Sequence, residues 1–415
     1  IYFAFFALLL GGVWGQTTYT WTGKGDDTAW ETPENWEGGG VPPDDADVLI
    51  PDLTPITDRY PVLSSTINLS SLTIVSNASL TLGGQNIACT KAFTNNGIVY
   101  SDGQGTVTIP EGSAGVWEYT GGTVHTGLTF SEVRINGAVS LNGTGITTLT
   151  INSGSTLSLN GDVTAQTFKS ATGTDIAGPH NLRITGNAEF NGEVVAGSLE
   201  VSGTSTINAD ITTTGDQTYT GAVTLGADVE LTAKDGATNS TVTFNASIDG
   251  AKELTITGDT TFSGIVGGGT ALSLLTVSGT STIKANITTS GTQTYDGDVI
   301  LGANTTLTTT NANIHFVSAV DSFDSNAHDL TLIAGSGNII FGNTVGATNP
   351  LGTLTITSGA TVQFAESVTA TGAILVTSAK DVNFTGDVSA ASFTQNAGTG
   401  TTTFDGIQVY SGDFI

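Results

Sequence analysis

The sequence predicts an all-β chain: a right-handed, single-stranded parallel β-helix (β-solenoid) of about 20 residues per coil, headed by an aromatic-rich N-terminal cap. Three observations predict it. Apolar–polar–apolar triplets such as Leu72-Thr73-Ile74, Leu149-Thr150-Ile151, Leu254-Thr255-Ile256 and Leu330-Thr331-Leu332 recur between turn-forming pairs such as Ser153-Gly154 and Asn160-Gly161. Alternation of this kind turns the first and third side chains into a core and the middle one to water. Second, Leu354, Val362, Phe364 and Val368 return in order, at one constant offset, as Ile374, Val382, Phe384 and Val388, and Phe404 extends the series. Equal spacing would stack like residues one inter-strand distance apart, about 4.8 Å. Third, Leu199–Thr232 is written again at Leu275–Thr308 without a gap, offset by 76, with 23 of 34 positions identical. A chain that copies such a segment is built by stacking units.

Taken in order, Ile1–Val13 is an apolar run too short to span a bilayer comfortably, and its Gly11 and Gly12 lead into Val13-Trp14-Gly15, a small-residue cleavage site in outline. Its length suits the core of a secretory signal peptide. With no initiator Met and no basic start, residues 1–15 read as a signal peptide truncated at its beginning, and the remainder as exported. Residues 16–70 form the expected cap. Gln16–Pro61 holds six of the nine prolines and Trp21, Trp30 and Trp36 of the five tryptophans. Proline lacks the N–H that a neighbouring strand would use, and large aromatics suit the cover of an open coil end. A carbohydrate-binding aromatic platform built from the same three tryptophans is the alternative.

Residues 71–415 form the expected repeats. Leu157–Phe168 matches Val382–Phe393, and weaker versions begin at Phe190, Phe244, Phe262 and Phe341 at uneven spacing, so some coils carry loops. Between the two long copies, Leu199, Val201, Ile207, Ile211, Tyr219, Val223, Leu225 and Leu231 recur unchanged and read as inward. The changes Glu200/Thr276, Asp210/Asn286, Thr224/Ile300 and Glu230/Thr306 read as outward or turn, with Val229/Thr305 the exception. About 16 coils would make a rod of about 75 Å. The last residues, Gly412-Asp413-Phe414-Ile415, follow a repeat directly, so the native chain is expected to continue.

Composition bounds the function. Ten Lys+Arg against 37 Asp+Glu give a net charge of −27, which argues against nucleic acid and anionic membranes as partners. The single cysteine, Cys89, excludes an intrachain disulfide and reads as a small buried hydrophobe.

The segments TWTGKGDDTAWETPENWEGGGVPPDDADVLIPD, LSSLTIVSNASLTL and FTNNGIV resemble the opening of large exported bacterial surface proteins. GTSTI, GDQTYTGAVTLGAD and its copy are similar to repeats of filamentous-haemagglutinin-like and autotransporter-type adhesins. The resemblance implies a β-solenoid at a bacterial surface, secreted or associated with the outer membrane. It brings no catalytic motif and therefore no functional residues.

The chemistry of an enzyme is not written in the chain. His125, His180, His315 and His328 lack metal-ligand spacing and read as exposed polar residues. Nucleophile elbow, phosphate loop, HExxH and EF-hand patterns are absent. Asp44, Asp45 and Asp47 form the densest acidic cluster, a weak Ca²⁺ candidate set against a solvated loop; no other cofactor is expected. Lys169, Arg183, Lys234, Lys252, Lys284 and Lys380 do not gather in one repeat, and Asp162 and Asp387 occupy equivalent turns. The expected function is non-catalytic: a structural stalk or adhesin passenger that presents its long face and loops to host or matrix glycans or proteins. The alternative is a β-helix polysaccharide lyase or hydrolase. A third reading, ice binding by outward threonines such as Thr106, Thr108, Thr241 and Thr243, would require a flat array that uneven coils are expected to spoil.

Overall fold

The structure, a computed structural model, describes residues 17–56, 59–110, 112, 114–396 and 398–415. The expected signal peptide, residues 1–15, lies outside them. The chain divides into two compact units, one up to Val133 and one from Arg134. Both are built from parallel ladders, and the coils run to roughly 20 residues.

In the first unit, Thr18–Thr20 pairs with Ala46–Ile50, then Ile67–Ile74, Ile87–Asn95 and Val107–Thr108, all in parallel. Parallel pairing therefore already runs through residues expected to form the cap. The proline-rich stretches lie between strands, and Pro33–Asn35 makes a single 3-10 turn. A second ladder joins Ser79–Thr81 to Ile98–Ser101 and to Val116–Thr123. Cys89 is buried in this unit, and desolvation pushes its thiol up to about 12, so it stays protonated and inert.

The second unit has three strand-bearing faces per coil. One column of face one runs Leu157, Ile176, Val194, Ile211, Leu231, Ile256, Val277, Tyr295, Phe316, Phe341, Phe364, Phe384 and Phe404. Face two passes through Leu199, Gln217, Val242, Thr260, Ser281 and Val299. Face three passes through Phe168, Ala188, Ser205, Val223, Ile248, Val266 and Ile287. Coil length varies: the turn that carries Ala188 to Ser205 is short, and the one that carries Val223 to Ile248 is markedly longer. The columns survive because extra residues leave at corners, as in the hairpin in which Lys234-Asp235 pairs with Thr238-Asn239. Gly236 at its tip has φ 56, which an L side chain tolerates poorly.

Inward positions are filled as the two sequence copies require: Leu199, Val201, Ile207, Ile211, Tyr219, Val223, Leu225 and Leu231 are all buried. Each large aliphatic side chain so buried contributes about 1.5–3 kcal/mol. The exceptional pair is buried too, and in Thr305 the hydroxyl is satisfied by donating to the Ala303 carbonyl at 3.0 Å. In-register pairing makes the aromatic rings stack although the coils differ in length. Tyr295, Phe316, Phe341, Phe364, Phe384 and Phe404 have successive centroid separations of 5.4, 4.8, 4.7, 4.5 and 4.9 Å.

The long duplication is not a whole number of coils. From Leu199 on face two, three turns reach Gln217, Val242 and Thr260. The chain then crosses face three at Val266 and arrives at Leu275 on face one. Each copy thus advances three and two-thirds turns, and the same sequence is displayed on a different face. The shorter phrase follows the same rule: Leu157 lies on face one, Val223 on face three, Val299 on face two and Val382 on face one again.

Candidate functional site

The turns explain most of the acidic and amide side chains. Five residues after Leu157, Val223, Val299 and Val382 stand Asp162, Asp228, Asn304 and Asp387. Their side-chain oxygens accept the backbone N–H of Asn181, Glu253, Asp329 and Ile407, one coil on, at 3.0, 3.0, 2.9 and 2.7 Å. Asp210, Asp216, Asn286 and Asp381 do the same for Glu230, Thr241, Thr306 and Thr401. A backbone N–H at a turn or at the start of a strand needs an acceptor, and an Asx oxygen from the preceding coil supplies it.

Trp21, Trp30 and Trp36 are at most 2% exposed. Trp36 meets both others edge to face, at centroid distances of 5.1 and 4.7 Å. The Trp21 indole N–H donates to the Arg59 carbonyl and that of Trp36 to the Trp30 carbonyl. The rings are packed on one another, so none offers an open face on which a sugar could stack. The platform alternative fails on burial; the cluster is core of the first unit.

Asp44, Asp45 and Asp47 do not converge. Asp44 and Asp45 are exposed, whereas Asp47 accepts the Ser71 hydroxyl at 2.7 Å, which holds its carboxyl below the usual range. Among the described residues no three His, Cys, Asp or Glu side chains are grouped to hold a metal ion. Two basic residues bridge neighbouring coils: Lys169 pairs with Glu189 at 2.9 Å and Arg183 with Glu200 at 3.0 Å.

All four histidines are half-buried, not exposed as expected. His125 belongs to an aromatic cluster with Trp117, Tyr119 and Phe130. The Tyr119 hydroxyl lies 2.9 Å from its Nδ1 and accepts its backbone N–H at 3.2 Å, while Nε2 is buried without a hydrogen-bond partner. Burial pushes the imidazole below its ordinary range, against the opposing pull of the Gln104 and Gly105 backbone and of Asp102. A cavity of about 330 Å³ adjoins it, lined by Gly103, Gly105, Thr106, Val107, Thr123, Val124, His125 and Thr126. The sequence carried a signal for this: alternation turns Trp117 and Tyr119 inward together, just before the histidine.

Outward positions on face two form an uncharged rank, Thr218, Thr243, Thr261 and Thr282, one residue per successive coil. No family model, curated protein or solved structure matches the chain. The parallel β-solenoid is shown by the strand pairing alone.

Proposed function

We propose that the chain is an exported, non-catalytic structural protein of a bacterial surface, a stalk or adhesin passenger whose outward ranks and corner loops meet host or matrix glycans or proteins. The observation that carries this reading is the use of the turn carboxylates. An acid–base hydrolase needs two carboxyl groups facing one substrate bond. Here the carboxylates of equivalent turns are spread along the coils, each taken up by the backbone of the next. A lyase needs a base and cationic groups at one site, and here Lys169 and Arg183 each pair with a single glutamate. Glycan-array and matrix-protein binding by the purified chain, run beside a polysaccharide-degradation screen, tests the proposal. Degradation without any surface ligand would overturn it.

A second reading, ice binding, draws support from the rank of four threonines. It stays in register although the coils between its members differ in length. Ice-recrystallisation inhibition that is lost in Thr243→Asp and Thr261→Asp would favour it over adhesion.

A further inference from the structure

We propose that His125 is an acid-operated latch in the first unit: neutral, it is held inward on Tyr119, and protonated, it swings into the adjoining cavity and releases the Thr123–Thr126 corner. The argument is one of desolvation. The Tyr119 hydroxyl accepts the His125 backbone N–H and lies 2.9 Å from Nδ1, a contact that holds the neutral ring inward in either tautomer. Nε2 is buried without a hydrogen-bond partner. Protonation puts an N–H on both ring nitrogens and places a cation against the rings of Trp117 and Tyr119, in a site where Tyr119 is wholly buried.

The cavity supplies the other state. Its wall includes the histidine itself, and Thr106, Thr123 and Thr126 around it are exposed. A charged ring turned outward gains water there and remains within the field of Asp102, the charged group that acts on it from the preceding coil. The strand that precedes it, Val116–Thr123, brings Tyr119, and the strand that begins at Phe130 brings an apolar ring to the same cluster. Buried below the latch, Trp117 anchors its indole N–H on the Ala114 carbonyl at 2.9 Å, so loss of the corner is reported by an indole.

The test is an NMR titration of the histidine rings in the intact chain, followed in parallel by near-UV circular dichroism and tryptophan fluorescence. The expected result is that the His125 midpoint lies below the ordinary imidazole value. The optical signals should step at that same midpoint. In His125→Gln, which cannot be charged, the step should vanish. A His125 that titrates at or above the ordinary imidazole value overturns the latch even if the variant does not fold. An optical step that persists in His125→Gln overturns it as well.

Discussion

Replacing Gln217 by Leu tests whether the interior of the second unit depends on a specific polar contact rather than on hydrophobic filling alone. Gln217 and Tyr219 are both fully buried. The amide Nε2 donates to the Thr232 carbonyl at 2.9 Å and to the Ile211 carbonyl at 3.2 Å, while its oxygen accepts the Tyr219 hydroxyl at 3.0 Å. Leucine fills a similar volume but leaves the phenol without an acceptor and weakens the satisfaction of two carbonyls. An unmade buried hydrogen bond costs about 1–3 kcal/mol, so Gln217→Leu should destabilise by roughly 2–4 kcal/mol after the gain from the added apolar surface. Tyr219→Phe orphans only the amide oxygen and should cost about 1–2 kcal/mol. The double variant removes both members of the pair and should be more stable than the sum of the singles implies, by about 1–2 kcal/mol. Gln293 and Tyr295 repeat the arrangement on another face, with the hydroxyl bond at 3.1 Å, and give an independent replicate. Solenoids need not unfold in one step, so the assay is native-state hydrogen exchange at Leu231–Ala233 and Val242–Phe244, alongside urea denaturation. Additive single and double variants in both copies would refute the reasoning.

Three further outcomes follow from particular side chains. Asp387→Ala should destabilise the adjoining coils by about 1–2 kcal/mol because the Ile407 N–H loses its acceptor, whereas Asp387→Asn should retain most of the stability; urea denaturation of both distinguishes a turn staple from a bystander. Ser205 carries a buried hydroxyl with no partner, so Ser205→Ala should leave the melting temperature unchanged or raise it, as should Ser281→Ala in the other copy. In the first unit, the carboxyl of Asp27 is held low by the Thr32 hydroxyl and then the Ala29 N–H, that of Asp47 by the Ser71 hydroxyl, and that of Asp52 by the Thr54 N–H. Folded values below the ordinary 3.8 contribute stability that is present above that pH and lost as pH falls through the folded values. Thermal melts should therefore show the first unit weakening below about pH 4.

Much of the fold was legible before any coordinates because strand alternation is local. The triplets identify which side chain turns inward, and the series Phe364, Phe384, Phe404 states the coil length directly. Legibility of function was poorer for a physical reason. Asp162 and Asp387 have turn neighbours that announce a turn, yet the N–H groups they accept lie a full coil away. The tryptophans Trp21, Trp30 and Trp36 have spacings that suit either an open platform or a packed cluster, and only their mutual contacts distinguish the two. His125 looked like its three counterparts until the strand bearing Trp117 and Tyr119 placed a hydroxyl at its ring.

By itself the sequence determined that the chain is all-β, that its coils measure about 20 residues, and which positions face the core, because each follows from period-two alternation repeated at a constant interval. Only the tertiary structure decided on which face each repeat is shown. That depends on how many strands close one turn, a property of the corners and of packing across the interior, to which alternation along a strand is blind. The long copy steps three and two-thirds turns. Identical sequences therefore point in different directions, and the solenoid presents its repeated surface successively around its axis instead of along a single side.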